Sequence, residues 1–179
     1  MKTSQVQKIT LLALMIALDV VLSPIMRIEG MAPMSSVINI IAGVLLGPAY
    51  ATVMAASCGV LRMLLLGIPP LALTGSVLGA LLAGWGYRLT GGQVWGSMVG
   101  EIIGTGILGS LLSYPVMVWF TGSQQGLYWL IYTPRFVGAS FIGAAMAGFV
   151  LFKLKETRVF KKAQALFMEM THEEACKIK

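Results

Sequence analysis

The chain has 179 residues, of which 57% are hydrophobic and only 11% are charged, and its mean hydropathy is +0.83. A water-soluble domain carries charge on roughly a quarter of its residues, so this composition favours a membrane protein. The net charge of +6 does not indicate nucleic-acid binding, because the basic residues flank apolar segments, as in proteins whose Lys and Arg stay on the cytoplasmic side of a bilayer. We therefore predict an all-α, polytopic membrane protein.

Six apolar segments follow one another along the chain, each ended by Gly, Pro or polar residues. A membrane-spanning helix needs about 20 apolar residues. The predicted spans are residues 9–26, 36–46, 49–66, 73–87, 94–120 and 134–152. The pair Gly47-Pro48 predicts a tight turn between the short second span and the third. The fifth segment is longer than a span needs, and Pro115 is the expected site of a kink.

The predicted topology divides the chain into a membrane domain, residues 1–155, and a basic tail, residues 156–179, which we expect to form a cytoplasmic amphipathic helix. Six spans place both termini on one side. Most Lys and Arg residues then lie on that side, which predicts a multi-pass protein of the cell membrane with cytoplasmic termini. Residues 27–35, 67–72 and 121–133 become the outer loops.

Small residues recur four apart in several spans. The stripes are Ala13-x-x-x-Ala17, Gly75-x-x-x-Gly79, Gly96-x-x-x-Gly100-x-x-x-Gly104 and Ala139-x-x-x-Gly143-x-x-x-Ala147. Such stripes let helix backbones approach closely where lipid removes the hydrophobic drive. Packing inside this chain explains most of them, whereas the stripe on the first span could face lipid or another subunit.

Three charged residues, Asp19, Arg62 and Glu101, lie well inside predicted spans. A charge at mid-bilayer costs about 2.5–3.5 kcal/mol on insertion scales, so it usually marks a buried pair or a functional site. Arg62 could pair with Asp19 or, with more stretch, with Glu101, and either pair could simply fix the register of the helices. Alternatively, Arg62 lines a polar pocket open to the outside, where Asn39 could join it.

Aromatic residues concentrate near the predicted outer ends of the last two spans, among them Tyr114, Trp129 and Tyr132. Most aromatic residues at this depth are interfacial anchors. A small flat ligand would also use such rings for stacking, with a few hydrogen bonds for selection.

The residues that catalysis or metal binding would need are scarce. The chain has no Gly-x-x-x-x-Gly-Lys phosphate loop, its single histidine, His172, lies in the tail, and its two cysteines form no zinc signature. We expect neither an enzyme nor a cofactor or metal site. A protein that captures small molecules without an energy source must borrow one.

Several stretches together resemble a known family. They are LLALMIAL (11–18), VLSP (21–24), NIIAGVLLGP (39–48), GVLR (59–62), GSVLGALLAG (75–84) and GEIIGTGI (100–107). The chain resembles, over residues 9 to about 152, the ThiW family of S components, the substrate-binding membrane subunits of energy-coupling factor (ECF) vitamin transporters. Asn39, Arg62 and Glu101 all recur within the likeness.

The resemblance implies a six-helix S component that binds hydroxyethylthiazole, the thiazole precursor of thiamin. It also implies a transmembrane T component and two cytoplasmic ATPases as partners, with Ala13 and Ala17 matching the Ala pair that docks the T component. A neutral thiazole alcohol needs a ring to stack on and a few polar groups.

We therefore predict polar contacts from Asn39, Arg62 and Tyr114 and stacking on Trp129 or Tyr132. Glu101 could position Arg62 or bind directly. Two alternatives stay open: an S component for another vitamin or precursor, and a stand-alone membrane channel or enzyme.

Overall fold

Every regular element in the described part of the chain is a helix. The computed structural model describes residues 3–26, 32–122 and 128–177, and among these the side chains of residues 3, 4, 71, 72, 121, 128–132 and 168–177 lie outside the description. The elements are α1 (Thr3–Ile25), α2 (Pro33–Leu66), α3 (Leu71–Leu89), α4 (Val94–Glu101), a π-helical segment (Ile102–Gly109), α5 (Ser110–Thr121), α6 (Tyr128–Leu154) and α7 (Arg158–Lys177).

Four helical runs in the described residues are long and apolar enough to cross a membrane. They are Gln5–Ile25, Pro33–Leu66, Val94–Phe120 and Thr133–Leu154. The all-helical fold predicted from composition is thus confirmed for the described residues, and four of their helical runs are candidate membrane spans.

Helix α2 folds back on itself at Gly47. In a straight helix Ser35 and Arg62 would lie about 40 Å apart at about 1.5 Å per residue, yet Arg62 Nη2 donates to Ser35 Oγ at 3.2 Å. Gly47 has φ +79° and ψ 175°, a conformation that favours glycine, and Pro48 opens the second helical stretch. The predicted tight turn at Gly47-Pro48 is confirmed, and α2 consists of two antiparallel arms, residues 33–46 and 48–66.

Helix α3 lies against both arms of α2 and against α4, and the approaches depend on glycine. A Cβ built on Gly43 would lie 2.8 Å from the backbone nitrogen of Gly84, and one built on Gly104 would lie 2.8 Å from the Cα of Gly79. Because no side chain fits at these distances, the glycine stripes of α3 and α4 pack inside the chain, as the sequence predicted.

The stripe on α6 also packs internally. A Cβ on Gly143 would lie 2.6 Å from Ser36 Cβ in the first arm of α2. Ala139 and Ala147, on the same face of α6, are buried. The first arm of α2 is therefore enclosed by its own second arm, by α3 and by α6.

Two details differ from the sequence-based expectation. The chain leaves α-helical geometry at Ile102–Gly109, where i→i+5 bonds form, whereas Pro115, the expected kink site, lies within α5. Helix α6 begins at Tyr128, so residues 128–133 belong to a helix and not to a loop. Pro134 lies in the second turn of α6 and does not end the helix. A proline removes one backbone hydrogen bond and can bend a helix while the helix continues.

Helix α7 packs across one end of the bundle, which we call the tail end; the opposite end is the far end. Phe167 of α7 is buried, its ring meets that of Tyr50 edge-on at 5.1 Å between centroids, and Lys8 Nζ lies 6.0 Å from the Phe167 centroid. Gln164 Nε2 donates to Val44 O, next to the Gly47 turn, at 2.9 Å. The described side chains of α7 thus bring Phe160 and Phe167 into the buried core.

Candidate functional site

Two of the polar residues on the first arm of α2, Ser35 and Asn39, lie one helical turn apart on one face of the arm. Each residue joins a different buried polar cluster. We call the first the ion-pair cluster, which consists of Asp19, Ser35, Cys58 and Arg62. The second is the carboxyl cluster, which consists of Asn39, Ser76, Glu101 and Thr105.

The ion-pair cluster ties α1 to both arms of α2. Arg62 Nη2 lies 2.5 Å from Asp19 Oδ2, and both side chains are buried. Arg62 Nη1 and Nη2 also donate to Ser35 Oγ at 3.3 and 3.2 Å, and Cys58 Sγ donates to the carbonyl of Ile16 at 3.5 Å. Of the two pairings that the sequence left open, the structure forms Arg62–Asp19. Opposite charges neutralise each other here, which is the condition for burying them.

The carboxyl cluster joins the first arm of α2 to α3 and to α4 with the π-helical segment. Asn39 Nδ2 donates to Ser76 O at 3.2 Å and to Glu101 Oε1 at 3.3 Å. Thr105 Oγ1 lies 2.7 Å from Glu101 Oε1 and 3.0 Å from Gly75 O. Asn39 and Glu101 are 1% and 0% exposed, so neutral hydrogen-bonding groups surround this carboxyl where the first cluster has a cation.

Two acceptor atoms of the carboxyl cluster have no hydrogen bond of good geometry among the described residues: Asn39 Oδ1 and Glu101 Oε2. Ser36 adds a hydroxyl beside the same carboxyl group. A buried polar atom without a partner costs about 1–3 kcal/mol, so such atoms usually serve a function. An acceptor without a partner can receive a hydrogen bond from a hydroxyl or an N–H donor.

Glycine in α3 makes room for this carboxyl group. A Cβ built on Gly79 would lie 2.5 Å from Glu101 Oε2 and closer still to Thr105 Oγ1. The unpaired oxygen thus lies against bare backbone, at the place where α3 and α4 approach each other.

The structure therefore brings Asn39 and Glu101 into direct contact and places Arg62 with Asp19 and Ser35. Tyr114 is half-buried in α5. Trp129 and Tyr132 lie in the first two turns of α6, and their side chains are outside the described part of the chain.

Sequence reasoning missed Ser35, Ser76 and Thr105 as members of these clusters. Thr105 follows Glu101 by four residues, a helical spacing that places the two side chains on one face. That spacing was the available signal. Ser76 contributes a backbone carbonyl, which residue type cannot reveal.

Ala13 and Ala17 lie on the exposed face of α1. The same face presents Leu14, Leu18 and Val21, which are 59%, 41% and 60% exposed. In the described part of the chain this stripe packs against no other helix, in contrast to the glycine stripes of α3 and α4.

Long apolar helices around buried polar clusters define the class: a helical membrane protein with polar side chains inside its bundle. The family comparison gives the particular member of that class. Residues 9–157 match the family model described as thiamine-precursor transporter protein (ThiW), and the chain belongs to this family. No curated protein and no solved structure matches the chain.

Proposed function

We propose that this protein is the substrate-binding S component of an ECF-type importer and captures hydroxyethylthiazole for ATP-driven uptake by partner subunits. The family match over residues 9–157 supports a thiamin-precursor transporter. The carboxyl cluster is the observation that carries the binding role, because it holds two unpaired acceptors inside an apolar bundle.

The proposed arrangement has six spans: α1, the two arms of α2, α3, the continuous run of α4 to α5, and α6. The fold of α2 at Gly47 supports this number, since it divides one helical run into two antiparallel arms. Lys8, Arg88, Lys153 and Lys155 gather at the tail end, which supports a cytoplasmic tail end in the cell membrane. The far end then faces outward.

Substrate recognition in this proposal centres on Asn39 and Glu101, and one of their free oxygens would accept a hydrogen bond from the single hydroxyl group of the thiazole alcohol. Arg62 borders the site on the side of the far end, one helical turn away along the first arm of α2. Tyr114, Trp129 and Tyr132 are the proposed aromatic contacts, with Tyr114 also offering its hydroxyl. A neutral ligand fits these groups because it adds no charge beside Glu101.

The proposed partners are a transmembrane T component and two ATPases. The exposed stripe of Ala13 and Ala17 supports docking on α1, because small side chains on an unpacked helix face admit a second helix at close range. The protein itself would then perform no chemistry and would need no cofactor.

Ligand binding to the purified protein tests the substrate. We expect hydroxyethylthiazole to raise the unfolding temperature in detergent, and Asn39→Ala to abolish that shift. Intact thiamin and the pyrimidine precursor serve as competitors. A shift with the pyrimidine and none with the thiazole would assign another substrate; no shift with any of the three would contradict the binding role.

Co-purification tests the partners. The double variant A13L/A17L adds bulk to an exposed face and should lose the T component and ATPases while keeping its ligand. A49L/A145L makes the same two changes at exposed positions on the second arm of α2 and on α6, and should keep them. If both variants retained all partners, α1 would not be the docking helix.

A further inference from the structure

A cleft at the tail end belongs to neither polar cluster. It has a volume of about 490 Å³ and lies between the start of α4, the end of α6 and the start of α7. This volume falls within the range of about 300–1,000 Å³ that is usual for sites of small organic ligands. The lining residues are Val94, Met98, Gly148, Leu151, Phe152, Lys155, Glu156 and Lys161.

The cleft is apolar at its base and charged at its rim, because of the order of residues along α6. Gly148, Leu151, Phe152 and Lys155 share one helix face at spacings of three and four, so the apolar residues come first and the lysine one turn later. Gly148 leaves space at the base because it has no side chain; a Cβ built on it would lie 3.2 Å from Met98 Cε.

Exposed aromatic residues mark the depth of the cleft in the membrane. Phe149 and Phe152 of α6 are 75% and 72% exposed, and Trp95 at the start of α4 is 55% exposed. Charged residues follow directly, at Lys153 and Lys155. This succession of exposed aromatic and basic residues is typical of the boundary between hydrocarbon and headgroups.

The rim carries a fixed cation. Lys155 Nζ donates to Gly92 O at 2.7 Å and lies 5.6 Å from the ring centroid of Tyr87. These contacts hold the ammonium group in place, and since it has three protons, donors remain for an anion. Lys161 adds a second cation to the lining, while Glu156 opposes them with one negative charge.

We infer that this cleft binds one anionic phospholipid, with an acyl chain along Met98, Gly148 and Phe152 and the phosphate group between Lys155 and Lys161. Basic clefts between helices at the cytoplasmic side of a membrane are suited to acidic headgroups, and each Lys near the surface adds about fivefold to the affinity. The apolar base favours a lipid over a free phosphate, because a small anion would leave those walls uncovered.

Native mass spectrometry of the full chain in detergent, with phosphatidylglycerol and phosphatidylethanolamine at equal concentration, tests the inference. The wild type should retain phosphatidylglycerol about tenfold better. K155Q/K161Q should lose most of that preference, since Gln keeps the length and a hydrogen-bond donor but not the charge. K153Q/K162Q, which makes the same change in net charge at exposed positions outside the cleft, should stay within about twofold of the wild type.

Two further variants test the charge at the rim of the cleft and the shape of its base. Glu156→Gln removes the opposing charge and should strengthen phosphatidylglycerol binding, whereas Gly148→Leu keeps both lysines but fills the base and should weaken it. Equal losses in the two double-lysine variants would mean general attraction to basic protein and would overturn the inference. Glycerol phosphate binding as tightly as the lipid would overturn it as well.

Discussion

The two buried polar clusters lie one helical turn apart on the first arm of α2, yet they solve burial in different ways. In the ion-pair cluster Arg62 and Asp19 cancel each other's charge and Ser35 accepts from the guanidinium group. In the carboxyl cluster the groups around Glu101 are neutral donors, Asn39, Thr105 and the nearby Ser36, and Glu101 Oε2 has no hydrogen bond of good geometry among the described residues.

We expect this difference to separate a structural role from a binding role. The ion pair joins α1 to α2 with its two charges matched, although Asp19 Oδ1 and Arg62 Nε also have no hydrogen bond of good geometry among the described residues. A carboxyl group beside an amide, each with a free acceptor, can still gain a hydrogen bond when a donor arrives. We therefore expect loss of the first cluster to cost stability and loss of the second to cost affinity.

The largest effect is expected from Asp19→Ala, which leaves the Arg62 guanidinium buried without a counter-charge. The loss of unfolding free energy should be about 3–5 kcal/mol, measured by denaturant titration in detergent. The double variant D19L/R62M removes both charges and should recover most of it. Wild-type stability of Asp19→Ala would refute a structural role for the pair.

Glu101→Gln should act mainly on the ligand. The amide keeps an acceptor for Asn39 and Thr105 but replaces the free oxygen by a donor, so hydroxyethylthiazole affinity should fall about 10- to 100-fold, or about 1.5–3 kcal/mol. Isothermal titration calorimetry measures the affinity. Ser97→Ala is the control: Ser97 lies one turn earlier on α4 and is equally buried, and its hydroxyl donates to Ile40 O at 3.4 Å. Similar losses in both variants would argue against a specific contact at Glu101.

Gly79→Ala tests the carboxyl cluster through the packing of α3 against Glu101 and Thr105. The added methyl group displaces Glu101 and Thr105, so we expect about 1–2 kcal/mol of destabilisation together with weaker ligand binding. Gly59→Ala, in the arm that carries Arg62, meets chiefly the end of the flexible Leu73 side chain and should cost less than about 1 kcal/mol. Thermal unfolding with and without ligand measures both; a costlier Gly59→Ala would contradict the assignment of Gly79 to the site.

The smallest effect is expected at the tail end, where the side-chain amide of Gln164 donates two hydrogen bonds. Gln164 Nε2 donates to Val44 O and to the Tyr87 hydroxyl, both at 2.9 Å. Gln164→Ala should cost about 0.5–1.5 kcal/mol, confined to the docking of α7. Faster amide hydrogen exchange in residues 158–167 would reveal it, with Lys162→Ala, an exposed position, as the unchanged control. Unaltered exchange in Gln164→Ala would mean that Phe160 and Phe167 alone hold the tail.

Much of the fold was readable from the sequence because lipid imposes simple rules. Apolar runs of sufficient length must be helices, since backbone groups in hydrocarbon need partners within their own segment. Gly47-Pro48 was readable as a turn for a local reason, the positive φ that glycine accepts. The π-helical geometry of Ile102–Gly109 was not readable, because it arises where the glycines of this run lie against the backbone of α3.

The candidate site was readable only in part. Asn39, Arg62 and Glu101 were visible as polar residues in apolar segments, because such residues are costly there and stand out. Their grouping was not visible. Arg62 had two possible carboxylate partners, and the choice of Asp19 follows from how α1 lies against the folded α2.

The sequence by itself determined that this protein is a bundle of membrane helices and where the chain turns. It also showed which polar residues lie in apolar segments. Hydropathy and turn chemistry are local properties, so the sequence reveals them directly. The tertiary structure alone decided which charged groups pair with each other and which have only neutral neighbours. That decision depends on contacts between segments up to 62 residues apart, such as Asn39 with Glu101, and no local pattern encodes such a distance.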